Sequence, residues 1–272
     1  MINDIFTIFS FDFVQRAFIG GLLISLCCAL LGVILVLKRF SMIGDGLSHI
    51  SFGSLAIATV LGISPMKFTI PVVIVAAIFL LRIRNGSKID GDSAIAMISV
   101  SSLAIGVLLI SSTTGGNTDI YNYMFGSMLA LKNSDVMLIV ILSLVILLVY
   151  LLTYNKMFVA TFDEKFAKSA GINTNFYNTL VAVLSALVIV TGIKMMGSML
   201  ISALIVFPAL TAMKLFKTFK SVTVSSALIS VFNFIIGMIV SIILDTPSGA
   251  TIVITDVLIF VVFVIIGKIS NK

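Results

Sequence analysis

FVQRAFIGGLLISLCCALLGVILVLKRF, Phe13–Phe40, decides what kind of fold this chain adopts. From Phe13 to Leu37 the run is overwhelmingly apolar, and it stops at the cationic pair Lys38–Arg39. As a helix rising ~1.5 Å per residue it is long enough to cross ~30 Å of hydrocarbon. It lacks the alternating apolar and polar pattern of a membrane β-barrel strand. Helices are then the remaining way to satisfy backbone hydrogen bonds in lipid. The adjacent Cys27 and Cys28 sit inside this run and read as small apolar packing residues, since neighbouring cysteines rarely bridge.

Similar runs recur along all 272 residues. The chain is 60% hydrophobic and only 10% charged, with mean hydropathy +1.27. A water-soluble domain keeps about a quarter of its residues charged, so most of this surface faces lipid. The expected architecture is an all-α, polytopic transmembrane bundle of about eight or nine spans. They are placed at Phe13–Leu37, Gly44–Leu61, Phe68–Leu81, Ser93–Ser111, Val136–Tyr154, Tyr177–Gly192, Met195–Met213, Val222–Leu244 and Ala250–Gly267, the third and sixth being short. Pro208 predicts a kink in the seventh. No internal repeat is evident, so residues 1–272 read as one membrane domain. The N-terminus has no basic stretch of the kind that opens a cleavable signal peptide.

The net charge of +6 does not point to nucleic acid, because the cations lie in the connectors and no basic patch is interleaved with aromatics. With the N-terminus outside, thirteen of the 17 Lys and Arg residues fall in inner connectors and four in outer ones. This bias predicts a cytoplasmic C-terminus in the cytoplasmic membrane.

Charges within spans are costly, and those that persist usually line a site or pathway. Apart from Arg16, at the outer margin of the first span, three ionisable residues fall within the spans: Asp45, His49 (the only histidine) and Asp256. Asp45 and His49 are four apart, on one helical face. A carboxylate and an imidazole together suit a divalent ion such as zinc, manganese or ferrous iron. A two-fold pair of chains would double the ligand set around its axis. The alternative is a structural Asp–His hydrogen bond joining two spans, and spacing alone leaves both open. Asp256 is expected to face a polar cavity or a neighbouring helix.

In the longest inner connector, Thr161 and Glu164 fit a capping box and Gly171 a C-terminal stop, predicting a short amphipathic helix over Phe162–Ala170. Phe162, Phe166 and Ala170 form its apolar stripe. Charges of both signs favour docking to a protein over anchoring to lipid.

Five segments in order, MIGDGLSHISFGSLAIA (Met42–Ala58), NYMFGSMLALKNSDV (Asn122–Val136), FDEKFAKSAGI (Phe162–Ile172), MGSMLISALIVFPALTA (Met196–Ala212) and DTPSGATIV (Asp245–Val253), resemble the zinc/manganese-type permease family of ABC importers. The resemblance implies a type II importer-like permease that works as a homodimer with two cytoplasmic ATPase subunits and an extracytoplasmic metal-binding protein. It implies that Asp45 and His49 line the metal path, with the metal as cargo and no permanently bound cofactor. It also makes residues 158–173 the segment that couples to the ATPase, through Asp163, Glu164, Ala167 and Gly171. HISFG, without the proline expected after the histidine in the manganese branch, and DTPSG favour zinc over manganese or iron. The chain has no G-x-x-x-x-G-K-[ST] phosphate loop, so ATP hydrolysis falls to a separate subunit and this chain is not an enzyme. The rival reading is an ion-coupled secondary transporter, with Asp45, His49 and Asp256 as a relay.

Overall fold

A computed structural model describes residues 11–86, 91–112, 124, 126 and 133–270. The segment NYMFGSMLALKNSDV therefore lies mostly outside the described residues. The described chain is helical throughout: α1 Asp12–Leu37, α2 Ser41–Val60, α3 Pro65–Gly86, α4 Gly91–Ser111, α5 Asn133–Phe162, α6 Glu164–Ser169, α7 Thr174–Leu215, α8 Phe219–Leu244 and α9 Ser248–Ser270. Seven of these, all but α2 and α6, are long and apolar enough to cross a membrane.

α7 accounts for two of the expected spans. Its 42 residues would reach about 63 Å as one straight helix, twice the hydrocarbon thickness. Instead the backbone leaves helical geometry at Gly197 (φ 81°, ψ 163°), a conformation essentially confined to glycine. The chain reverses there. Gly192 lies against Ile201, nine residues on, and the two arms flank α1 at different heights, Gly192 beside Ile24 and Ile205 beside Gly32. Both ends of α7 also meet the same end of α5. Asn178 shares the Lys38 amine with the Ala160 carbonyl, and Phe219, just past the second arm, stacks on Phe158 and Phe162.

The connector expected at residues 193–194 between these two spans is thus at Gly197. Pro208 sits within the second arm, where the backbone stays helical. The third span is also longer than expected. α3 begins at Pro65, an imide suited to a first helical turn, and runs 22 residues to Gly86.

α2 falls short of the apolarity of the other spans because glycine, serine, Asp45 and His49 fill its first half. It does not need that apolarity. Thirteen of its 20 residues are buried, and α3, α4 and α7 pack around it. The approach to α4 is close: a Cβ on Gly53 would lie 2.7 Å from the Ser102 carbonyl oxygen, so glycine is required there. α4, α5 and α9 instead carry outward rows such as Met97, Leu108, Leu151, Leu152 and Leu258, the apolar exterior a bilayer solvates.

Several basic residues gather at one end of the bundle. Lys38 reaches Ala160 and Glu164. The carbonyl of Lys214 lies beside Gly267, next to Lys268, and Gly46 near the start of α2 packs against Leu80, just before Arg82. The C-terminal helix therefore ends at the same face as the α1–α2 turn.

Candidate metal-translocation site

α1 ends in a Schellman motif. Phe40 N–H donates to the Leu35 carbonyl (2.6 Å) and Arg39 N–H to that of Val36 (3.0 Å). Arg39, rather than the usual glycine, takes the left-handed position at φ 59°. Phe40 and Ile43 are buried and seat the first turn of α2 against the bundle. Asp45 then lies about one turn and His49 about two turns from that start, roughly 6 and 12 Å along the axis.

The least covered side of α2 carries Met42, Asp45 and His49, at i, i+3 and i+7. The side chains of His49 and Asp45 are 24% and 43% exposed, on a helix whose other residues at this level are buried. Nε2 of His49 stands 3.8 Å from Oδ2 of Asp45, beyond hydrogen-bond reach. Nδ1 of His49 is buried and has no hydrogen-bond partner among the described residues. A structural Asp–His bond between spans is therefore absent: both groups sit on one helix and are not bonded to each other. Beside them Ser48 bridges to the second arm of α7. Its Oγ donates to the Asp45 carbonyl (2.7 Å) and pairs with Oγ of Ser202 (3.0 Å). Met199, a turn from Ser202, is exposed. The open face is thus a seam between α2 and the second arm of α7. Two ligands per chain do not fill a metal's coordination shell, and no group of three or more His, Cys, Asp or Glu residues converges among the described residues.

Asp256 is elsewhere. It is fully buried on α9 and accepts a hydrogen bond from Nδ2 of Asn233 on α8. This satisfies the expectation of a neighbouring helix and leaves no side-chain bond from Asp256 to the Asp45–His49 pair among the described residues.

Residues 10–267 match the ABC 3 transport family. The chain belongs to this family. Among similar proteins, the manganese import system permease protein ScaB of Streptococcus gordonii is 30% identical over 93% of this chain and 90% of its own length. The high-affinity zinc uptake system membrane protein ZnuB of Haemophilus influenzae is 27% identical over 92% and 96% respectively. Among solved structures, PsaBC from Streptococcus pneumoniae in complex with Fab superposes with a TM-score of 0.87 at 29% identity, covering 97% of this chain and 95% of that one. As a multi-pass membrane protein of the ABC 3 transport family, the chain is a transport component rather than an enzyme.

In this ABC 3 family member the segment after α5 departs in detail from the expected helix. α5 runs through Phe162, and Thr161 donates back to the Met157 carbonyl within it (2.6 Å), so Thr161 is not a cap. The N-cap of α6 is Asp163, whose Oδ1 accepts from the backbone N–H of Phe166 (2.9 Å). Gly171 closes α6 as expected, at φ 78°, with Ile172 N–H donating to the Ala167 carbonyl (2.8 Å). Of the four residues named for coupling, Asp163 and Gly171 shape the ends of α6, and Ala167 is buried beneath it. Glu164 turns inward to Lys38 and Asn178 (3.1 Å each). The groups facing out are Phe166, 60% exposed, with Lys165 and Lys168. Phe162 is exposed too, but belongs to α5 and stacks on Phe158 and Phe219. Of the stripe expected at Phe162, Phe166 and Ala170, Phe166 is the exposed aromatic that α6 itself carries.

Proposed function

We propose that this chain is the membrane-spanning permease subunit of an ATP-driven importer of divalent metal ions, with zinc favoured over manganese and iron. Two copies pair across the open seam between α2 and the second arm of α7, placing two carboxylates and two imidazoles around a shared axis. The basic end faces the cytoplasm, where α6 docks an ATPase subunit, and an extracytoplasmic binding protein delivers the ion at the other end. One observation carries this reading. From Ile43 to Ala56 every residue of α2 is buried except Asp45 and His49, an acid and the lone imidazole, neither bonded to the other. Two carboxylates would neutralise a +2 ion and so lower the cost of its passage through a low-dielectric channel. The carboxylate–imidazole set suits zinc, manganese and ferrous iron alike, and the names of the similar proteins divide between manganese and zinc.

The test is ATP hydrolysis by the permease reconstituted with its ATPase and binding protein, run against zinc, manganese and ferrous iron. Stimulation by at least one of these ions is expected. Hydrolysis indifferent to all three, or metal uptake by the permease alone on an ion gradient, would refute the proposal.

A further inference from the structure

We propose that Lys38 is a positioning residue that ties α6 to the start of α2, so that displacement of α6 reaches the Asp45–His49 pair. This rests on the importer reading above. The Lys38 ammonium has three N–H donors, and the structure gives it three acceptors on three elements. These are the Ala160 carbonyl in the last turn of α5 (2.8 Å), Oε1 of Glu164 opening α6 (3.1 Å), and Oδ1 of Asn178 on the first arm of α7 (2.6 Å). Asn178 closes the ring by donating Nδ2 to the same Glu164 oxygen (3.1 Å). The Lys38 side chain is only 6% exposed, so water does not substitute for these partners.

Position gives the cluster its purpose. Lys38 caps α1, and two residues later Phe40, buried and fixed to the Leu35 carbonyl, leads into α2. Between Lys38 and Asp45 the chain has one tight turn and one helical turn, with no loop to absorb a shift. On the other side Glu164 is the first residue of a six-residue helix whose opposite face presents Phe166 to solvent. A push on α6 therefore has a short path to α2 through a charge-assisted bond, which is stronger than a neutral one. Burial pulls the Lys38 amine below its ordinary pKa, while the Glu164 bond and charge push it back up.

The experiment uses the reconstituted complex with Lys38→Met, which keeps the length of the stem. Glu164 is left half-exposed and hydratable and keeps its bond from Asn178, and the yield of assembled complex reports whether the fold is retained. The readout is metal ions moved per ATP hydrolysed. The expected result is a fall of about tenfold, within the range of typical coupling energies, with ATP hydrolysis and complex yield retained. The exchanged pair Lys38→Glu with Glu164→Lys should restore part of the ratio, because the Asn178 amide can turn to serve either orientation. An unchanged ratio overturns the proposal and leaves the importer reading intact. Parallel loss of transport, hydrolysis and assembled complex also overturns it, since a merely structural residue behaves that way. A wild-type complex that no metal stimulates fails the importer reading itself.

Discussion

Replacing Gly197 with alanine tests the helical hairpin on which the site depends. At φ 81° and ψ 163°, Gly197 occupies a region essentially closed to residues with a Cβ, and holding one there costs about 1–3 kcal/mol. The turn has little room to relax. Gly126 is packed so closely against it that even a Cβ on Gly126 would stand 2.5 Å from the Met195 carbonyl oxygen. The expected loss corresponds to a roughly 5- to 150-fold shift toward the unfolded or misassembled state. The assay is the thermal midpoint for loss of monodispersity of the detergent-purified permease. Gly44→Ala serves as the control: Gly44 is helical, and a Cβ there would meet Ile205 at 3.5 Å, ordinary contact. Gly197→Ala should melt several degrees below wild type, while Gly44→Ala stays within about a degree of it or above, alanine being the better helix former. Equal midpoints for Gly197→Ala and wild type would refute the reversal at Gly197.

Other consequences can be checked with less work. Phe166→Ser removes an exposed apolar anchor and should weaken binding of the ATPase subunit without lowering the permease's own melting point; unchanged binding counts against α6 as the docking element. Glu164 is held below the ordinary glutamate range, first by the hydrogen bond from Asn178 and then by Lys38. Its native pKa is depressed, so its contribution is full above the unfolded value of ~4.3 and is lost as pH falls through the lower native value. The protection of amides 163–172, taken relative to their intrinsic exchange rate at each pH, should therefore hold at about pH 5 and fall only below the usual carboxylate range, and a loss of protection nearer neutrality would contradict the tether.

The spans and their basic end were legible because hydrophobic length and connector charge are local properties of a sequence in lipid. Asp45 and His49 stood out for the same reason, as ionisable groups where few occur. A reversal between the sixth and seventh spans was legible from their summed length and from Lys194 between them, but its exact place was not: a glycine marks the turn only because tertiary packing brings Ile201 back onto Gly192. The cap of α6 was misread because two overlapping signals, Thr161–Glu164 and Asp163–Phe166, compete, and α5 settled the matter by extending through Phe162. The Lys38 cluster joins residues 122 to 140 positions apart, which no local pattern encodes.

The most direct test of the central claim is radioactive metal uptake by proteoliposomes containing the assembled complex, comparing wild type with Asp45→Ala and His49→Ala. Either substitution is expected to abolish uptake while the complex still assembles and hydrolyses ATP. Uptake at the wild-type rate in both variants would contradict it.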